Sequence, residues 1–167
     1  MYKRILSYCF AFVVMLYTGL VQGQTDTVRI GVNGLACSSC SKAVEEKIIK
    51  LKFVRFVKMD LNTNEATVIV DFTQKEDWNQ LAKAVYDAGF SIGYFQVPSC
   101  TKRSPQYSDT SCAEDYQCIG PADKQSNPDY YILVGKYFMS GKAYTPWKKT
   151  LQGMTYIDPK KSIYYYY

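Results

Sequence analysis

Val28, Ile30 and Val32 alternate with polar or small residues, which is the period of a half-buried strand. The period then lengthens: Cys40, Val44, Ile48 and Leu51 fall at helical spacing, with Lys42, Glu45, Glu46, Lys47 and Lys50 for the wet face. Val57, Met59 and Leu61 alternate again, Asn62 to Asn64 supply a turn, and Ala66, Val68, Val70 and Phe72 alternate after it, so a hairpin is expected. Trp78, Leu81, Ala82 and Val85 return to helical spacing, Gly89 stops that helix, and Ser91 to Val97 is rich enough in aromatic and β-branched residues for a last strand. The order strand, helix, strand, strand, helix, strand predicts an α+β, ferredoxin-like βαββαβ domain, a four-stranded antiparallel sheet with two helices on one face.

The pattern breaks over 99–129, where Pro105, Pro121, Pro128 and the cysteines Cys100, Cys112 and Cys118 suggest a linker or disulfide-tied loops. From Tyr130 the chain turns aromatic, with nine of the 16 tyrosines at or after that residue. A hairpin around Ser140 and Gly141 is expected there, and 130–167 reads as a small β-rich extension. Its segment GKAYTPWKK shows no amphipathic helical period and reads as a half-buried β surface with ordinary lysines rather than a membrane-binding stretch.

The first residues change the compartment. Lys3 and Arg4 precede an apolar run from Ile5 to Leu20, and Val21 and Gly23 occupy the minus-three and minus-one positions of a cut before Gln24. This predicts a cleavable export signal over 1–23, a domain over 24–98, and a periplasmic or extracellular location with no stable membrane span after cleavage. Cys9 leaves with the signal. The full chain has 20 Lys and Arg against 15 Asp and Glu, a net +5. Loss of Lys3 and Arg4 leaves 18 against 15, too mild for a nucleic-acid partner. The chain contains no histidine, which argues against hydrolytic triads and histidine-bound zinc, and no enzymatic activity is expected.

The candidate chemistry lies in NGLACSSCSKAVEEKI, where Cys37 and Cys40 stand three residues apart just before the first helix. A thiolate at a helix start faces unpaired N–H groups and the positive end of the helix dipole, which favours the metal-binding form, and Cys40 should feel this most. Two soft sulfur ligands with no histidine and no adjacent carboxylate suit Cu(I). Zn(II), which prefers four ligands, ranks lower. The alternatives are a structural disulfide, which an oxidising compartment favours, and a redox pair, although a thioredoxin-like fold would need a longer α/β pattern.

The loop Gly34 to Cys40, the following helix, and the D-A-G-F segment at Asp87 to Phe90 resemble the heavy-metal-associated domain family over about 70 residues. That family includes copper chaperones, the amino-terminal modules of copper-transporting ATPases and periplasmic mercury-binding proteins. The resemblance implies metal ligation by Cys37 and Cys40, adds Hg(II) to the candidate ions, and implies transfer to a metal-transporting membrane protein or another thiol-bearing acceptor. It also implies that Leu35 replaces the family's methionine as the plug beneath the loop, and that Ala36 stands where zinc and cadmium exporters commonly carry aspartate. Phe90, at the start of strand four and hence beside the end of strand one, is expected to roof the metal site while also packing in the core. Cys100 falls beyond strand four, about 20 Å from the loop, too far for ligation. Cys100, Cys112 and Cys118 are expected to supply one disulfide. The competing function is a binding or adhesion module with a vestigial or disulfide-bonded metal loop and a working C-terminal extension.

Overall fold

The computed structural model describes residues 27–99, 116–119, 129–153 and 163–166. The expected export signal and the side chains of Cys100, Cys112 and Cys118 lie outside the described residues. Ten elements follow in order: β1 (Thr27–Asn33), α1 (Ser38–Ile48), β2 (Val54–Asp60), β3 (Glu65–Val70), α2 (Trp78–Asp87), β4 (Ser91–Pro98), β5 (Tyr116–Cys118), β6 (Tyr130–Val134), α3 (Gly141–Gly153) and β7 (Ile163–Tyr166). The first six form the expected βαββαβ unit.

The alternation maps directly onto burial. Val28, Ile30 and Val32 of β1, Val57 of β2, Ala66, Val68 and Val70 of β3, and Ile92, Phe95 and Val97 of β4 are all buried. They meet Val44 and Ile48 of α1 and Leu81, Ala82 and Val85 of α2 in one core. Trp78 anchors it, with edge-on contacts to Phe53, Phe72 and Phe95 at centroid distances of 6.5, 6.2 and 6.1 Å. Such pairs add about 0.5–1.5 kcal/mol each beyond the burial itself. The hairpin between β2 and β3 turns through Asn64, whose φ of 54° suits asparagine. Asp77 caps α2 by accepting from the backbone N–H groups of Asn79 and Gln80 at 2.9 and 3.1 Å.

The sheet does not stop at four strands. Its order is β2-β3-β1-β4-β6-β7-β5, all neighbours antiparallel except the parallel pair β5 and β7. The extension therefore continues the sheet from the edge of β4: Gln96 pairs with Ile132 and Val97 with Tyr131. An exposed edge offers unpaired backbone groups, and β6 occupies this one.

The hairpin expected around Ser140 and Gly141 is not formed. A turn over 135–140 leads from β6 into α3, and Ser140 starts the helix: its hydroxyl accepts from Ala143 N at 3.3 Å and its carbonyl from Tyr144 N at 2.9 Å. Tyr144, Trp147 and Leu151, at helical spacing, pack against Ile119, Val134 and Met139 in a second cluster. The segment expected as β surface is thus an amphipathic helix, and Pro146 within it does not break it because the apolar stripe is held by tertiary contacts. Leu133 joins the first core while its neighbour Val134 joins the second, so the two cores lie on opposite faces of the sheet.

Candidate metal centre

Four local features fix the cysteine loop. Gly34 has φ 89°, a left-handed turn that brings the chain off β1 at little steric cost. Leu35 then drops into the core at 5% exposure, and Ala36, Cys37, Ser38 and Ser39 return to the surface. Cys37 is the N-cap of α1, with extended backbone at φ −152° and ψ 160°. Its carbonyl accepts from Ser41 N at 3.1 Å and closes the first helical turn.

The sulfur of Cys37, not that of Cys40, receives the helix start. Cys37 Sγ accepts from Cys40 N at 3.2 Å and lies 3.0 Å from the Ser39 hydroxyl. This differs from the expectation that Cys40 sits closest to the unpaired N–H groups. The reason is positional: the residue before the first helical one can turn its side chain back over that turn, whereas Cys40 is already inside it. Cys40 is half-buried and packs against the core. The two cysteines are joined in a disulfide with their Cα atoms 5.2 Å apart. Among the described residues no group of three or more His, Cys, Asp or Glu side chains gathers around a common point.

The far wall of the loop comes from the turn between α2 and β4. Gly89, with φ 89°, donates to the Tyr86 carbonyl at 2.9 Å and Phe90 N donates to the Val85 carbonyl at 3.2 Å. This paired closure ends the helix and throws the residue after the glycine back across it. That residue is Phe90, partly buried against the core, with Cδ1 3.9 Å from where a Cβ at Gly34 would stand. The pairing of Asn33 with Ser91 brings the end of β1 and the start of β4 together, reinforced by Asn33 Nδ2 donating to Ser91 Oγ at 3.4 Å. Asn33, Gly34 and Ser39 are assigned no individual role from the sequence. Of these only Gly34, a glycine at the exit of a strand, carried a recognisable signal.

On the sheet face away from α1 and α2, Tyr94 lies across Gly31 and its hydroxyl donates to Glu65 Oε2 at 2.6 Å. Any side chain at residue 31 would collide with that ring. Burial, followed by the bond to Glu65, pushes the Tyr94 hydroxyl up to about 12. At the other end of the sheet, the Thr73 hydroxyl, then Arg55 and the Thr73 backbone N–H, hold Asp71 down at about 2. Arg55 Nη2 lies 2.9 Å from the Asp71 carboxylate.

This is a ferredoxin-like domain presenting a two-cysteine loop at the exposed start of its first helix, the architecture of a heavy-metal-binding domain. The heavy-metal-associated domain profile matches residues 29–91. The periplasmic component of the mercuric transport protein of Serratia marcescens is 37% identical over 70 residues, covering 42% of this chain and 76% of that protein. Copper chaperone CopZ of Staphylococcus haemolyticus is 32% identical over 63 residues, covering 38% of this chain and 91% of the chaperone. Among solved structures, oxidised MerP from Ralstonia metallidurans CH34 is 35% identical, spans 40% of this chain and 93% of its own, and superposes with a TM-score of 0.36. The chain belongs to the heavy-metal-associated domain family.

Proposed function

We propose that this protein is an exported metal carrier, not an enzyme, which captures Cu(I) or Hg(II) between Cys37 and Cys40 and hands it to a thiol-bearing acceptor, such as a metal-transporting membrane protein. The observation that carries this reading is the cysteine pair itself: two sulfurs on an exposed loop, 5.2 Å apart at their Cα atoms, at the positive end of α1. Linear coordination by two thiolates suits both soft ions, and the loop offers no ready third ligand for Zn(II). The ion is cargo. Cys37, exposed and supported by Cys40 N–H and Ser39, receives it first, and the half-buried Cys40 completes the pair.

The disulfide form is the resting oxidised state on this reading. A dithiol reductant supplies two electrons and two protons to break the S–S bond and becomes a disulfide itself. Binding a metal ion then releases the two thiol protons. Transfer proceeds as each acceptor thiolate forms its metal–sulfur bond while one carrier sulfur leaves, so the ion is never free. Export is supported by the signal-like first 23 residues and by periplasmic relatives, and no helix among the described residues is long and apolar enough to cross a membrane.

Anaerobic titration of the reduced protein with Cu(I), Hg(II) and Zn(II) tests the reading. One tight equivalent of a soft ion, lost in Cys37→Ser and outcompeting Zn(II), is the expected result. A reduced wild-type protein that binds none of the three sinks it. The disulfide favours one other reading, a binding module with an inert loop, and that same negative titration would support it.

A further inference from the structure

The extension does more than lengthen the sheet. Because β6 runs antiparallel to β4, its far end returns toward the end of the sheet where β4 begins, level with Tyr94 and so two strand spacings, about 10 Å, across the sheet from Gly31 near the end of β1. The turn over 135–140 is locked there. Ser140 N donates to the Gly93 carbonyl at 3.3 Å, Phe138 packs edge-on to Phe95 at 5.3 Å, and Tyr137 meets Tyr86 of α2 at 6.0 Å. Tyr86 lies in the last turn of α2, four residues before Phe90. The metal loop, the Gly89 to Ser91 turn and the 135–140 turn therefore form one end of the molecule.

Charge across that end is uneven. Tyr130 to Gly153 holds four lysines and no aspartate or glutamate. All four are exposed; Lys136 lies within the 135–140 turn, its Nζ 5.6 Å from the Tyr137 ring centroid, and Lys142 follows in the first turn of α3. The acidic groups on the β2–β3 side of the loop are Asp60, which accepts from Asn62 N, and Glu65, which is held by Tyr94. Asp87 at the end of α2 is paired with Lys83, and Glu46 on α1 with Lys42. The side built by the extension is thus cationic and carries an aromatic ring that is 56% exposed.

We infer that the 135–142 segment is a docking surface for the protein that receives the ion, and that this acceptor presents carboxylates beside its own thiols. The inference rests on the carrier reading above and adds to it a recognition element contributed by the extension. Carboxylates facing Lys136 and Lys142 would steer the acceptor's thiols toward Cys37, while Tyr137 gives the encounter a rigid apolar contact. An anionic lipid surface would use the same lysines. The acceptor is favoured because the cations and the exposed ring stand at the end of the molecule where the ion is exchanged, and because the apolar stripe of α3 is already packed against the sheet.

The test uses the full chain, reduced and 15N-labelled, with two synthetic C-x-x-C peptides, one flanked by glutamates and one by lysines. The acidic peptide should shift the amide resonances of Lys136, Tyr137 and Lys142, and the basic one should not. Lys136→Glu with Lys142→Glu should weaken acidic-peptide binding about 10-fold at low salt, with the difference shrinking as salt is added. Uptake of Cu(I) by the reduced protein should be unchanged in that variant. Equal shifts with both peptides, or shifts confined to 36–40, would overturn the inference. So would binding to phosphatidylcholine/phosphatidylglycerol vesicles that the double variant loses, if the acidic peptide leaves these amides unmoved. Repeating the titration without metal on the Cys37→Ser, Cys40→Ser chain keeps the result separate from the carrier reading, which fails instead if no soft ion binds.

Discussion

At the scale of single residues, the clearest prediction concerns Tyr94. Its hydroxyl lies over Gly31 and donates to Glu65, and its ionisation is pushed from 10.0 up to about 12, first by burial and then by that bond. A phenol whose folded value is raised contributes stability that is complete below its unfolded value and disappears as pH climbs to the folded one. The contribution should therefore hold to about pH 10 and be lost between 10 and about 12. The difference in tyrosinate absorbance between wild type and Tyr94→Phe should show one late-titrating group. A Tyr94 that ionises with the exposed tyrosines would contradict the geometry. Asp71 is the mirror case: its low value, set first by the Thr73 hydroxyl and then by Arg55, makes its contribution present above about pH 4 and lost as pH falls toward 2.

At the scale of elements, α2 determines where Phe90 stands, since the helix is fixed at one end by Asp77 and at the other by Gly89. Asp77→Ala removes the acceptor for two orphan N–H groups and should cost about 1 kcal/mol, measured as a lower denaturation midpoint with an unchanged slope. Gly89→Ala forces a side chain into a left-handed backbone and should cost a similar amount or more. It should also disturb the Phe90 ring, and with it any shielding of the loop, which near-ultraviolet circular dichroism would report. The first six elements were legible in the sequence because each buries one face against the same core, so period and burial coincide at Val28, Ile30 and Val32 or at Trp78, Leu81 and Val85. The loop was legible for a different reason, as two cysteines at a helix start. What could not be read was which sulfur caps the helix, since that depends on a side-chain turn. In α3 the stripe of Tyr144, Trp147 and Leu151 was present, but Gly141, Thr145 and Pro146 mask it, and packing against Val134, Met139 and Ile119 from other parts of the fold supports it as a helix.

At the scale of the whole molecule, the continuous sheet changes what the extension is. Composition separates 130–167, which reads in the sequence as a small β-rich extension, from the domain before it, yet residues of that extension pack into the first core. Leu133 is fully buried and Phe138 is 4% exposed in the same core as Val28 and Leu81, and Phe138 packs edge-on to Phe95. The backbone edge of β4 is also satisfied by β6. Phe138→Ala should therefore destabilise the metal-binding domain itself, by about 3–5 kcal/mol if the site cannot collapse. Tryptophan fluorescence, from Trp78 in the first core and Trp147 in α3, and far-ultraviolet circular dichroism should report one coincident unfolding transition in both wild type and variant, because Trp78 and Phe138 both contact Phe95. A first domain that keeps its midpoint while only the extension unfolds earlier would show that two separate units share a sheet edge without sharing a core. If the single transition holds, the basic turn over 135–140 and the cysteine loop belong to one cooperative unit, so the two can meet a partner as one surface.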